Sequence, residues 1–569
     1  MSVLRSAPLF LPAFLLLPAL PLPAQVAGGV LETKFRIDGQ PGQGFFCCLA
    51  RLGDLDGDGS PEIGVSDPFA STGGLFRNGV ALVFSSADGR LLLRVEGRED
   101  SARFGTALAG AGDVNGDGVE DLLVGAPTAD PGHRVDAGSA FLVSGASGAT
   151  IRRLNGSSHG GLFGFSVANA GDEDGDGIPD QVIGAPEATV GPFQVVGGMA
   201  AVFSGADGRK IREFDGLGDS QFVGHSIAGI GDVDADGVMD LAVGAPDVHL
   251  PGLRLAGSVF IYSGASGTLI WRFNGNSSEG LFGYRVSPAG DADADGFPDI
   301  LIGTPFYPNA FPSSKGAVFL FSGATGAEIF RVEHDSAGEG FGSSIASAGD
   351  LNGDGHDDIL VGASGDDPDG LLDAGSVFVY SGETGNLLFQ YRGIRENDRV
   401  GSVLASFGDS DGDGLSDFLL VEPGTDTGGD PSLGSIFVVG FNPILQASSD
   451  VFSASAGGTI LYSLRFPTVA GGDRYGILVS AAGTGPTRFH GLSVPLTPDF
   501  FFRRALRGRF PKQAVHFQGI LDPSGKATAR FRARPGALSA KLIGRTFHLA
   551  GIDRLLRFSS VPRTLTITP

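Results

Sequence analysis

DVNGDGVED, residues 113–121, is one of seven copies of a nine-residue phrase, D-x-[DN]-x-D-G-x-x-[DE], that begin at Asp54, Asp113, Asp172, Asp232, Asp291, Asp350 and Asp409. Successive copies are offset by 59, 59, 60, 59, 59 and 59 residues. A fixed period of that length marks a stacked or radial array of one supersecondary unit. It runs through roughly four hundred of the 569 residues, a length that would otherwise argue for several domains. The oxygen-bearing side chains at positions 1, 3, 5 and 9 are the kind of donor set that a hard cation takes.

Working outward from residue 113, the unit reads as four short strands. FGTALAGAGD alternates small and apolar residues, the acidic phrase turns the chain, and DLLVGAP is a buried run. After a loop come GSAFLVSG, the turn Ala146-Ser147-Gly148, and TIRRLNG. Ser85, Ser144, Ser204, Ser263, Ser322 and Ser381 close the third strand in successive units. Apolar residues at three- and four-residue spacing, which a helix needs, do not recur. Four strands joined by short turns make a meandering antiparallel sheet of the kind that forms a propeller blade.

The repeats resemble the FG-GAP repeats of the integrin α-chain head. The matching phrases include Phe104-Gly105 with Gly125-Ala126-Pro127, Phe163-Gly164 with Gly184-Ala185-Pro186, and Phe282-Gly283 with Gly303-Thr304-Pro305. They drift in the end units, to Phe45-Phe46 with Ser66-Asp67-Pro68 and to Val400-Gly401 with Val421-Glu422-Pro423. The resemblance covers residues 30 to about 440 and implies a seven-bladed β-propeller with calcium sites in hairpin loops. It also implies that the face opposite those loops meets ligand and partner subunit. The repeats are similar as well to those of glycosylphosphatidylinositol-specific phospholipase D, whose separate zinc catalytic domain has no counterpart here.

Closure follows from what the last unit lacks. It runs through a third strand, Gly434 to Gly440, and then loses the pattern, whereas LETKFRIDG (31–39) has a fourth-strand pattern and no blade of its own. The N-terminal strand is therefore expected to complete blade seven and remove an exposed sheet edge.

The candidate metal ligands are Asp54, Asp56, Asp58 and Glu62 in loop 1; Asp113, Asn115, Asp117 and Asp121 in loop 2; and Asp172, Asp174, Asp176 and Asp180 in loop 3. Loop 4 offers Asp232, Asp234, Asp236 and Asp240, and loop 5 offers Asp291, Asp293, Asp295 and Asp299. Loop 6 offers Asp350, Asn352, Asp354 and Asp358, and loop 7 offers Asp409, Asp411, Asp413 and Asp417. Position 6 is glycine in every copy, which permits a left-handed turn around an ion. With a backbone carbonyl from position 7, a water and one bidentate carboxylate, six or seven oxygens result, a number that suits Ca2+ better than Mg2+. Up to seven structural calcium ions are expected. Two carboxylates ~4 Å apart repel by roughly 4 kcal/mol at an effective dielectric near 20, so acidic turns of this density are unfavourable bare. With Asn in third position, loops 2 and 6 are expected to bind more weakly.

The remaining composition sets bounds. Residues 1–24 carry Arg5, an apolar run from Leu9 to Leu20 and Pro-Leu-Pro-Ala, which read as a signal peptide of a secreted or cell-surface protein. No later apolar span has membrane length. Cys47 and Cys48 are the only cysteines and read either as small core residues or as a strained vicinal disulfide. Residues 1–448 hold 23 Lys+Arg against 59 Asp+Glu, and 449–569 hold 17 against 5, so a boundary falls near Ser448. The expected plan is thus a signal peptide at 1–24, a propeller at 25–448, and a small C-terminal β-sandwich at 449–569 built on strands such as TILYSLRF, RYGILVSAAG, KATARFRARPG and RTLTIT.

In that module Arg530, Arg532 and Arg534 share one face of a strand. The face is open to solvent, or docks on the acidic propeller or on an anionic envelope polymer. The module is loosely similar to C-terminal β modules of bacterial secreted repeat proteins.

No nucleophile or zinc constellation appears among the nine histidines, and His356, at position 7 of loop 6, is expected to be exposed. No aromatic-basic motif points to nucleic acid. The second-to-third loops, TADPGHRVDA, EATVGPFQVVG, DVHLPGLRLA and FYPNAFPSSK, vary widely on a constant frame. Such loops either carry recognition or are neutral solvent loops. The reading is an adhesion or recognition module, not an enzyme, meeting an extracellular protein or glycan on the face opposite the calcium loops. The alternative is a polysaccharide-active enzyme or lectin, the lectin disfavoured by one Trp and seven Tyr. Asn155 and Asn276 head N-x-S sequons.

Overall fold

The computed structural model describes residues 30–39 and 48–442, except 192–194, 217, 219–220, 309–313, 335–339, 352–354, 411–415 and 424–433; beyond 442 it describes backbone strands alone. The signal-peptide stretch, Cys47, Asn352, Asp354, Asp411, Asp413 and Arg534 lie outside the described residues.

Seven four-stranded antiparallel sheets make up the propeller. Blade 2 shows the plan, with strands Ala107–Gly112, Asp121–Ala126, Ser139–Val143 and Thr150–Asn155 in spatial order. First strands of neighbouring blades touch all the way round, and Cys48–Leu52 of blade 1 meets Leu404–Gly408 of blade 7, so the ring is closed and first strands line its axis. Second strands such as Asp121–Ala126 are buried at every residue, which explains their continuous apolar run. Fourth strands face outward and are the more exposed, as in Leu269–Asn274, where Phe273 alone is buried. No α-helix occurs among the described residues; two single 3-10 turns lie at Pro131–His133 and Pro368–Gly370.

Blade 7 takes its fourth strand from the other end of the chain. Val30–Asp38 pairs antiparallel with Ser435–Asn442, Val30 opposite Asn442 and Asp38 opposite Ser435. Ser435 Oγ donates to Asp38 Oδ1 at 2.8 Å, and the Arg36 guanidinium lies over the Phe437 ring at 5.3 Å. Phe35 packs against Gly89 in the last turn of blade 1, the place that Leu93 takes on Gly148 and Trp271 on Gly326 elsewhere in the ring. The seam therefore repeats the ordinary contact between blades.

The Phe-Gly and Gly-Ala-Pro phrases are packing devices. Phe104, Phe163, Phe282 and Phe341 are buried, each worth ~1.5–3 kcal/mol by burial alone. Gly164, at φ 88°, brings its carbonyl to within 2.0 Å of where a Cβ on Gly125 of the preceding blade would stand. Any side chain there would hold the two blades apart.

Past the propeller the backbone forms two larger sheets. One has four strands and includes Gly458–Arg465 and Lys526–Ala533; the other has five and includes Arg474–Ser480 and Arg563–Thr568.

Candidate metal loops

Each acidic phrase joins a first strand to a second, and the position-1 carboxylate organises it. In loop 1, Gly57 N and Asp58 N donate to Asp54 Oδ1 at 2.7 and 3.0 Å, and Gly59 N donates to Oδ2 at 2.9 Å. Asp113, Asp172, Asp232, Asp291 and Asp350 each accept the position-6 amide in the same way, at 2.8–3.0 Å. The position-6 glycines have φ from 85° to 92° in loops 1 to 6, the left-handed region that favours glycine. Position 5 accepts the amide of position 7: Ser60 N to Asp58, Val119 N to Asp117, Ile178 N to Asp176, Val238 N to Asp236, and Phe297 N to Asp295, all at 2.8–3.0 Å.

Position 9 begins the second strand and is buried in all seven loops. Its carboxylate is a staple. One oxygen accepts the position-2 amide, from Val114 N to Asp121 at 3.0 Å and from Val233 N to Asp240 at 2.7 Å. The other accepts an amide from the turn after the third strand, Gly145 N to Asp121 at 3.1 Å and Gly264 N to Asp240 at 2.9 Å. Asp180, Asp299 and Asp358 repeat this double contact. In loop 7, Ser410 N and Oγ donate to Asp417. The sequence placed position 9 among the metal donors and carried no sign of this second duty, because the partner glycine lies about two dozen residues on.

Loop 1 departs from the staple. Leu55 N donates to Glu62 Oε2 at 2.8 Å, but buried Oε1 has no hydrogen-bond partner. Oxygens of Asp54, Asp56, Asp58 and Glu62 all lie within 4.8 Å of one another. Burial, then the charges of Asp56, Asp54 and Asp58, push the Glu62 carboxyl up to about 7.

The same closeness groups Asp172, Asp174 and Asp180 in loop 3, Asp232, Asp234 and Asp240 in loop 4, and Asp291, Asp293 and Asp295 in loop 5. Three expected donors of loops 3 to 5 stand outside these groups, and the described acidic donors of loops 2, 6 and 7 form no such group. Asp176 is exposed, Asp236 accepts the Ser263 hydroxyl at 2.9 Å, and Asp299 is held by its backbone donors. Burial raises Asp240 to about 6 and Asp299 to about 7. Asn115 of loop 2 turns its amide to both Asp121 oxygens, at 3.0 and 3.2 Å. Closely spaced oxygen donors, a buried carboxylate oxygen with no partner, and a Glu62 carboxyl raised by burial and by its acidic neighbours together fit a hard cation.

Neighbouring loops touch. Pro179 at position 8 of loop 3 seats against Gly112, which precedes loop 2, and Pro298 seats likewise against Gly231. Between loops 5 and 6 the seat is polar: Asp291 N donates to Asp357 Oδ2 at 2.9 Å, and Asp357 N to Asp291 O at 3.1 Å. His356 is half-buried against the same junction, its Nδ1 2.8 Å from Ala292 O, so the expectation of an exposed ring is corrected.

The opposite end differs. Phe165, His225 and Tyr284, which follow the glycine of the Phe-Gly position in successive blades, pack as an arc of tilted rings with centres 5.1 and 4.8 Å apart. Burial and then Arg285 lower His225 to about 4. Periodicity alone did not bring this arc out, since the three residues share a register position and no residue type. Trp271, the only tryptophan, is half-buried and donates to Gly323 O of the next blade at 2.9 Å, which makes it a packing residue. Cys48, also half-buried, donates its thiol to Thr106 O at 3.0 Å.

Fold and loops together define a closed seven-bladed propeller with an acidic hairpin in each blade. The FG-GAP repeat model matches residues 104–143, 223–262, 282–321 and 341–380, so the chain carries FG-GAP repeats, in a propeller that resembles that of integrin alpha chains. It is 32% identical to integrin alpha-5 of Xenopus laevis over 220 residues, covering 36% of this chain and 20% of that protein. It is 28% identical to integrin alpha-V of Gallus gallus over 307 residues, 48% and 29% respectively. With human integrin alpha-IIb the identity is 31% over 223 residues, 36% and 20%. The chain thus spans between a fifth and a third of the length of these relatives.

Proposed function

We propose that this chain is an extracellular, calcium-braced recognition module without catalytic activity. Calcium would be held by the loop residues at positions 1, 3, 5 and 9 and would serve structure, neutralising carboxylates that otherwise repel. The observation that carries this reading is Glu62 Oε1, buried without a partner in a group of four carboxylates, its own included, whose oxygens lie within 4.8 Å of one another. The likeness to integrin alpha chains supports adhesion over polysaccharide cleavage, and the commitment of Trp271 to blade packing argues against sugar stacking.

Ligand or partner would meet the end opposite the metal loops. There the chain presents large exposed apolar residues, Phe76, Val135 and Leu372, at one register position of different blades. A leader at 1–24, a propeller at 25–448 and a basic module at 449–569 complete the proposed plan, with the module available for attachment to an anionic envelope. No helix among the described residues is long and apolar enough to cross a membrane. An array of extracellular matrix proteins and glycans, probed with calcium and with chelator, tests the proposal. Calcium-dependent retention on a protein or glycan supports it, and release of oligosaccharide products from a polysaccharide contradicts it.

A further inference from the structure

The turn that faces each metal loop, between the third and fourth strands, is not the same in every blade. Blades 1 and 3 carry Asp88-Gly89-Arg90 and Asp207-Gly208-Arg209, where blades 2, 4, 5 and 6 have Ser147-Gly148-Ala149, Ser266-Gly267-Thr268, Thr325-Gly326-Ala327 and Thr384-Gly385-Asn386. Both arginines do the same thing. Arg90 Nη2 lies 2.6 Å from Asp56 Oδ2, and Arg209 Nη2 lies 2.8 Å from Asp174 Oδ2. Each pairs with the position-3 carboxylate of its own loop.

The turn aspartate holds the arginine in place. Asp88 Oδ1 accepts Arg90 N at 3.0 Å while its Oδ2 stands 3.4 Å from Nε; Asp207 relates to Arg209 in the same way, at 2.8 and 3.6 Å. Asp56 and Asp174 are nearly covered, whereas the arginines are over half exposed, so each guanidinium reaches in from solvent over a carboxylate that belongs to the loop. Loops 4 and 5 face threonine and alanine, which supply no cation.

Resting on the calcium reading above, we infer that Arg90 and Arg209 are tethered cations that compete with the metal for position 3 of loops 1 and 3. A divalent ion taking Asp56 or Asp174 must displace a guanidinium or share the carboxylate with it. The two loops keep part of their charge balance without metal and fill at higher calcium than loops 4 and 5. The seven loops then form a graded set, some bracing the ring at low calcium and others answering to its concentration.

The test uses the full chain, crystallised at limiting and saturating calcium, with occupancy in each loop read from calcium anomalous scattering. In the native protein loops 4 and 5 fill before loops 1 and 3. In the double variant Arg90→Ala, Arg209→Ala, loops 1 and 3 tighten by about two- to fivefold, the scale of an exposed ion pair. The Lys double variant, which keeps a mobile charge, retains the native order. Earlier filling of loops 1 and 3 in the native protein, or unchanged occupancy in the Ala variant, would overturn the competition while leaving calcium binding intact. Calcium in no loop at all would overturn the reading beneath it. A matching variant at Arg94, which pairs with Glu96 on the fourth strand, leaves every occupancy unchanged.

Discussion

The two ends of the ring are built on opposite logics. At the loop end, carboxylates fix the backbone: position 1 gathers the amides of its own loop and position 9 ties the loop to the turn facing it. At the other end the connections differ in length and sequence and leave apolar residues such as Phe76 and Val135 over half exposed. One end repeats because its geometry has a single solution. The other is free to vary because the frame beneath it is already held, which is where recognition usually settles.

The largest effect that sharpens this contrast is metal removal. At free calcium one hundred times Kd, each filled site adds about 2.7 kcal/mol to stability. Chelation is therefore expected to lower the melting temperature far more than any loop variant, and amide exchange should rise at the loop end first. Equal exchange at both ends would break the comparison.

Next comes the staple. Asp240→Ala strips two buried amides of their acceptor and is expected to cost about 2–4 kcal/mol in denaturant unfolding. Val135→Ala, at the variable end, should cost less than about 0.5 kcal/mol.

A pH effect follows from Glu62, whose folded carboxyl is raised to about 7 from 4.5. In metal-free protein its contribution to stability is present below pH 4.5 and lost as the pH rises through about 7. Calcium reverses the sense, since it needs the carboxylate. Affinity at loop 1 should climb between pH 5.5 and 8, with proton release on binding seen by calorimetry in buffers of different ionisation enthalpy. Glu62→Gln should flatten that dependence.

The smallest change is Asn115→Asp, which replaces an amide donor to Asp121 by a fourth carboxylate. Calcium should tighten at loop 2 by a few-fold, about 1 kcal/mol or less. Weaker binding would contradict the expectation that loops with Asn are the poorer sites.

Much of this was legible in the sequence. The period, the four strands per unit and the placement of the acidic phrase between first and second strands needed only spacing and alternation, because every blade solves the same packing problem. Grouping within 4.8 Å was reached for all four donors of loop 1 but not for Asp236, which turns to Ser263, or Asp299, which its backbone donors hold. What spacing could not supply were contacts between elements distant in the chain. Examples are the glycine that meets position 9, the proline seated on the preceding loop, the ring arc at His225, and an arginine reaching back to a loop more than thirty residues earlier.

The most direct test of the central claim is the calcium content of the native protein after exhaustive dialysis, paired with its melting temperature before and after chelation. Several tightly held calcium ions per chain are expected, with a melting temperature that falls on chelation and returns when calcium is restored. A protein that holds no calcium, or that melts at the same temperature with and without it, would contradict the account.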